Sequence, residues 1–400
     1  MHRVWSFVVL VVVGACGAPE PEEQACGGGA WRPGTLEIHH LDLGQADATL
    51  IVSPAGRSLL IDAGEPRWDG DGGALAVGAY LRAVLGCARL DQVLVTHFHV
   101  DHVGYPGKGG LWHLVEEQGF SVGRLLHRDT DSFRGDGATT IDRWRDYLAG
   151  AGRRLRPQVA TEGMRLDLGP GVELRIVAAD GHGVIRPGDF RMDRAPPNEN
   201  DYSVAALLRF GAFDYFIGGD LSGETLASPY GYSYHDVETV LARGLPDVDV
   251  YRADHHGSDH SSNPTLLAQL QPEVAIASAG DGNPYGHPAP ATVKRLAASA
   301  VLYLTERGAA PDLPGVRVAG AVVVRSADGH TYAVNDDIYA ATDPARTDAD
   351  GDGYFREADP DDGSAAVWPG PRGGCDPLYQ PCFDLGVFPP MHSSVPETRR

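Results

Sequence analysis

The stretch "LDQVLVTHFHVDHVGY", residues 90–105, sets an apolar run with the look of a buried strand directly against His97, His99, Asp101 and His102. Neutral imidazole nitrogens and carboxylate oxygens are the usual ligands of zinc and related divalent ions. At a strand end the alternating side chains of His97 and His99 can converge on one ion. The turn that follows lets Asp101 and His102 reach a second. The chain is thereby constrained to a fold that ends a buried strand at a metal site.

The surrounding pattern says what that fold is. "TLEIHHLDLGQADATLIVSPAGRSLLIDAG" alternates short β-branched runs with Gly, Pro and Asp turns, which reads as antiparallel strands. "GALAVGAYLRAVLG", "GLWHLVEEQG", "TTIDRWRDYLAGAG", "PTLLAQLQ" and "ATVKRLAASA" read as helices, and "VGRLLHR", "EVAIASAG" and "GVRVAGAVVVRSADGHTYAV" as strands. Strands in two groups with helices between them predict two packed sheets flanked by helices.

Five further blocks accompany "THFHVDH": "LDLGQADATLI" (41–51), "NDYSVAALLRF" (200–210), "GGDL" (218–221), "HHGS" (255–258) and "NPYGHP" (283–288). In order and spacing, residues 35–335 resemble the metallo-β-lactamase superfamily. The match is to the branch seen in the extracytoplasmic hydrolase domain of DNA-uptake channel proteins and in choline-binding-protein esterases. The resemblance implies an α/β fold, a four-layer αββα sandwich, with two divalent metal ions, zinc foremost, at the edge between the sheets. It assigns His97 and His99 to metal one, Asp101 and His102 to metal two, and Asp220 to a bridge between them. One histidine of "HHGS" completes metal two; spacing does not choose between His255 and His256, and the reading favours His255, with His256 on substrate. His182, at a strand end in "AADGHGVI", is the expected third ligand of metal one, against a cleft-lining role or a reduced ligand set. Asp62 matches a supporting aspartate, while Gln45 and Asp47 set the first hairpin, either as turn residues or with a direct role. Asn200, Ser203, Ser258 and Tyr285 are expected at the rim of the cleft. Asp101, His256 and His287 are the candidates for catalytic roles.

Composition bears on the address and the partners. The formal charge of −21, with Lys108 and Lys294 the only lysines, disfavours stable binding to nucleic acid, which needs clustered positive charge. "MHRVWSFVVLVVVGAC" has the charged start, apolar middle and small-residue end of a signal peptide. Its "VGAC" end resembles a bacterial lipobox, which places a lipid on Cys16 and the chain on a membrane at the extracytoplasmic side. The expected organisation is a signal peptide (1–16), a Gly/Pro/Glu-rich tether (17–34), a hydrolase domain (35–340) and an Asp-rich appendage (341–400). With Cys16 lipidated, four cysteines remain: Cys375 and Cys382 are close enough to close a small loop, and Cys26–Cys87 follows by elimination. In "DADGDGYFREAD", Asp348, Asp350, Asp352, Tyr354 and Asp359 stand at EF-hand-like spacing for a structural calcium, or else form a plain acidic tail.

The expected function is an extracytoplasmic metal-dependent hydrolase that uses a metal-bridging hydroxide on phosphodiesters or related esters. A nuclease linked to DNA uptake and a non-catalytic calcium-dependent surface protein are the alternatives.

Overall fold

The computed structural model describes residues 26, 28–64, 73–133, 139–188 and 195–341. The expected signal peptide, Cys16, most of the tether, the Asp-rich segment and Cys375–Cys382 lie outside the described residues.

Among the described residues, two large sheets face each other. The first has nine strands in the order Asp337–Ala340, Thr331–Val334, Val322–Ser326, Leu36–His40, Thr49–Val52, Ser58–Ile61, Arg89–Val95, Ser121–His127 and Pro157–Val159. The second has eight, in the order Val316–Val318, Val301–Leu304, Val274–Ala277, Val250–Arg252, Phe213–Ile217, Ala205–Phe210, Val172–Ala178 and Arg165–Asp167. Central strands such as Thr49–Val52 and Ser58–Ile61 are buried at every position, because one face meets the other sheet and the other meets helices. The edge strand Asp337–Ala340 alternates between half-buried and exposed.

Three apolar clusters make the layers explicit. Ile38, Ile51, Leu94, Ile176, Leu208, Tyr215 and Ile276 pack between the sheets. Leu50, Leu60 and Val93, on the outer face of the first sheet, meet Val77 and Leu81 of the helix Gly73–Leu85, Leu111 and Leu114 of Gly110–Glu116, and Trp144 of Thr139–Ala149. Phe216, Tyr251 and Ala275, on the outer face of the second, meet Leu266 and Leu270 of the helix Pro264–Leu270 and Val293 and Leu296 of Pro290–Ala297. This is the four-layer αββα sandwich. Cys26 and Cys87 are joined, so the pairing reached by elimination is present.

Topology places the site. Arg89–Val95 pairs in parallel with both Ser58–Ile61 and Ser121–His127, and Val250–Arg252 in parallel with both Phe213–Ile217 and Val274–Ala277. Loops leaving the carboxyl ends of such strands share one edge, where ligands of open α/β sheets bind. Those loops carry Asp62, His97–His102, Asp220, His255–His256 and Ser278.

Candidate metal centre

Two groups of potential ligand atoms form there, Asp47, His102, Asp220 and His256 in one and His97, His99 and Asp220 in the other, all within 4.8 Å inside each group. Asp220 belongs to both. Its loop is set by Gly219, whose φ is +65° and where a Cβ would lie 3.0 Å from both Ser203 Cβ and Thr96 Cβ. The second glycine of "GGD" is thus required by backbone angle and by space. Ser203 accepts a hydrogen bond from the Asp220 backbone N–H at 3.0 Å and lies 3.3 Å from His97 Nδ1.

Hydrogen bonds determine which nitrogens face inward. Asp62 accepts from the Thr96 N–H (2.8 Å) and hydroxyl (2.7 Å), and its Oδ2 lies 2.8 Å from His102 Nδ1, which must therefore carry the proton. His256 Nδ1 donates to the Ser278 carbonyl at 2.9 Å. In neutral rings both Nε2 atoms then present lone pairs, yet they stand 3.3 Å apart. Asp220 Oδ1 lies 3.2 Å from His102 Nε2 but, though buried, accepts no well-formed hydrogen bond. Converging lone pairs beside a buried, unsatisfied carboxylate need a cation or a shared proton between them, so the residues present fit a metal ion. At the second group, His97 Nε2 and His99 Nδ1 are 3.1 Å apart, and Thr96 Oγ1, already donating to Asp62, can accept from His97 Nδ1 at 3.1 Å.

The electrostatics follow. Burial holds the His97 pKa well below the ordinary imidazole value. Burial works against charge on both His102 and Asp220, but the Asp220 and Asp62 carboxylates raise His102 well above its usual value. Likewise His102, His256 and His255 together hold Asp220 well below the carboxylate range.

Other expected residues fall into place around this centre, and several readings change. His256, not His255, joins the His102 group. Both residues sit in left-handed conformation (φ 51° and 54°), so the alternation of a strand end does not govern where they point. His255 Nε2 lies 3.0 Å from Asn200 Nδ2 and 3.8 Å from Asp220 Oδ2, and burial lowers its pKa to about 3. His182 joins neither group: it turns in left-handed conformation, and its Nδ1 engages Glu162 Oε1 at 2.8 Å. Asp101 stands just outside the four-residue group, with Oδ2 3.2 Å from His256 Nε2. Ser258 is buried and serves its own loop, accepting from the His260 N–H at 3.2 Å, so it does not reach the rim. Tyr285 is 58% exposed, and its ring centroid is 5.7 Å from that of His287. Burial lowers the His287 pKa to about 4, so this imidazole is neutral at physiological pH. Arg186 is exposed.

Two contributions escaped the sequence reading. Asp47, left open between a turn residue and a direct role, is in the four-residue group and is ion-paired with the buried Arg252. The same guanidinium donates to the carbonyls of Gly219 (3.0 Å) and Ala253 (2.8 Å), tying together the loops of Asp220 and His255. Glu199 accepts from the Phe98 N–H at 3.0 Å and is ion-paired with Arg128, both fully buried, which anchors the histidine loop. Neither residue carries a sequence signal, since Arg128 lies in "HRDTDS" and Glu199 in "NENDYS", both polar stretches.

Fold and site together define an αββα sandwich with a candidate metal centre at the edge between its sheets. Residues 41–186 match the model of the metallo-β-lactamase superfamily, so this part of the chain is similar to that superfamily. Its curated relatives include Recombination protein 2 of Haemophilus influenzae, 26% identical over 262 residues, which are 66% of this chain and 26% of that protein. ComE operon protein 3 of Bacillus subtilis is 32% identical over 95 residues, 23% of this chain and 11% of that one. The chain thus spans about a quarter or less of the length of these relatives. Among solved structures, the diiron β-hydroxylase CmlA of Streptomyces venezuelae aligns with TM-score 0.41 and 16% identity over 73% of this chain and 54% of that one, too distant to transfer a reaction.

Proposed function

We propose that this protein is an extracytoplasmic hydrolase of phosphodiesters or related esters, working with two divalent ions, zinc foremost. The observation that carries the metal part is the pair of Nε2 atoms of His102 and His256, 3.3 Å apart with both Nδ1 atoms engaged elsewhere, beside Asp220. His97, His99 and Asp220 would hold one ion, and His102, His256 and Asp220 the other, with Asp101 and Asp47 at hand. Divalent ions bound there supply Lewis acidity and lower the pKa of water, the chemistry that in-line displacement at phosphorus requires.

The chain's own residues tilt the choice of substrate. Asn200, His255 and His287 put neutral donors beside the centre, suited to the oxygens of a phosphate group. Lys108 and Lys294 are both exposed and lie outside the six blocks, so neither is a candidate to hold a lactam carboxylate. The Cys26–Cys87 bridge supports an oxidising compartment. Among the described residues no helix is long and apolar enough to cross a membrane, and the lipid anchor on Cys16 is the proposed attachment. The name of the Haemophilus influenzae relative, Recombination protein 2, favours DNA as a second candidate substrate, opposed by the formal charge of −21.

The test is a panel of bis(p-nitrophenyl) phosphate, p-nitrophenyl phosphate and a chromogenic cephalosporin with the zinc-loaded full chain. The phosphodiester should be turned over fastest. A cephalosporin hydrolysed far faster than either phosphate overturns the proposal.

A further inference from the structure

Gln45 and His287 are 242 positions apart in sequence, and both side chains are buried, at 7% and 8% exposure. Gln45 Nε2 lies 3.3 Å from His287 Nδ1, and Gln45 Oε1 accepts from the Gly280 backbone N–H, also at 3.3 Å. A backbone N–H can only donate, so the amide oxygen belongs on that side and the amide NH2 faces the histidine. The amide cannot turn over without setting two donors against each other. The loops are also locked: a Cβ on Gly280 would lie 2.4 Å from the Gln45 backbone nitrogen, so the two backbones pack with no room between them. His287 is held at both ends of its backbone by Asn283, whose Oδ1 accepts from its N–H (3.0 Å) and whose Nδ2 donates to its carbonyl (2.6 Å).

An amide NH2 aimed at Nδ1 requires a lone pair there. In a neutral ring the proton is then on Nε2, the nitrogen that Gln45 leaves free, in a ring whose centroid lies 5.2 and 5.7 Å from those of His255 and Tyr285. We propose that Gln45 is a positioning residue that holds His287 in its Nε2–H tautomer, so that the imidazole offers a hydrogen-bond donor to an oxygen of the anionic substrate. This rests on the phosphodiester reading of the site. In the opposite tautomer the ring would aim a lone pair at that oxygen and repel it. Gln45 does its work through His287 and touches no reacting atom.

The replacement Gln45→Glu tests this at nearly constant volume, because a carboxylate accepts from Nδ1–H and selects the other tautomer. Gln45→Met, which only removes the hydrogen bond, serves if the first variant fails to fold. The imidazole nitrogens of the zinc-loaded full chain are observed by 15N NMR, with His287 assigned by the signals lost in His287→Ala. The wild type should show an unprotonated Nδ1 and a protonated Nε2. Gln45→Glu should exchange them, and Gln45→Met should give a mixture. With bis(p-nitrophenyl) phosphate, Gln45→Glu and His287→Ala should each lower kcat/KM on the order of 100-fold, the scale of one oxyanion donor. The double variant should be no worse than His287→Ala alone. A protonated Nδ1 in the wild type overturns the proposal, and so do losses that multiply in the double variant. If the wild type turns over no phosphodiester, the functional reading falls, while the NMR spectra still decide the tautomer.

Discussion

Asp62 Oδ2 lies 2.8 Å from His102 Nδ1 and 2.7 Å from the Thr96 hydroxyl, so one carboxylate oxygen orients the ring from behind and is itself held in place. A carboxylate in this position raises the basicity of the opposite nitrogen and selects the tautomer that can bind a cation. Asp62→Asn should therefore weaken zinc binding by about 10- to 100-fold while leaving the ligand atoms intact. Competitive titration against a zinc chelator measures this, and an unchanged affinity would mean that Asp62 does not tune the site.

The Arg128–Glu199 pair is fully buried, and Glu199 also accepts from the Phe98 N–H at 3.0 Å between the two first histidines. Glu199→Ala strands a buried guanidinium and should cost about 3–5 kcal/mol. Replacing both partners together, as Arg128→Met with Glu199→Leu, should cost less, since no charge is left uncompensated. Urea denaturation of the three chains decides it; a double variant less stable than Glu199→Ala would contradict the account.

His40 is fully buried between the sheets, and burial lowers its pKa to about 3. The unfolded chain takes up that proton near pH 6.5, whereas the native chain refuses it until about pH 3. Stability from this group is therefore complete above about pH 7 and declines as pH falls, by roughly 2 kcal/mol between pH 7 and pH 5. His40→Gln removes the titrating group, so its stability should change less over that interval. Denaturation midpoints of both proteins at the two pH values measure the difference, and equal losses would refute the assignment.

Much of this was legible in the sequence because it obeys local rules. The run before His97 reads as a strand, the periodic segments form helices, and His97, His99, His102 and Asp220 meet where strand ends would bring them. What escaped depends on contacts distant in sequence or on unusual backbone. His255 and His256 cannot be told apart by alternation because both adopt left-handed conformation (φ 51° and 54°). His182 has the right residue type at a strand end, but Glu162 captures it. Asp47 resembles any turn aspartate until Arg252, from the other sheet, is seen beside it. Glu199 offers no signal at all until Arg128 is placed against it, because only the tertiary fold makes a charged pair of these two.

The central claim is that two ions share Asp220. Elemental analysis of the purified, zinc-loaded full chain measures it directly. The account predicts close to two zinc ions per chain, with Asp220→Ala losing metal from the site and losing phosphodiester hydrolysis with it. A wild type that binds no more than one ion, or an Asp220→Ala chain that retains both ions and full activity, would contradict it.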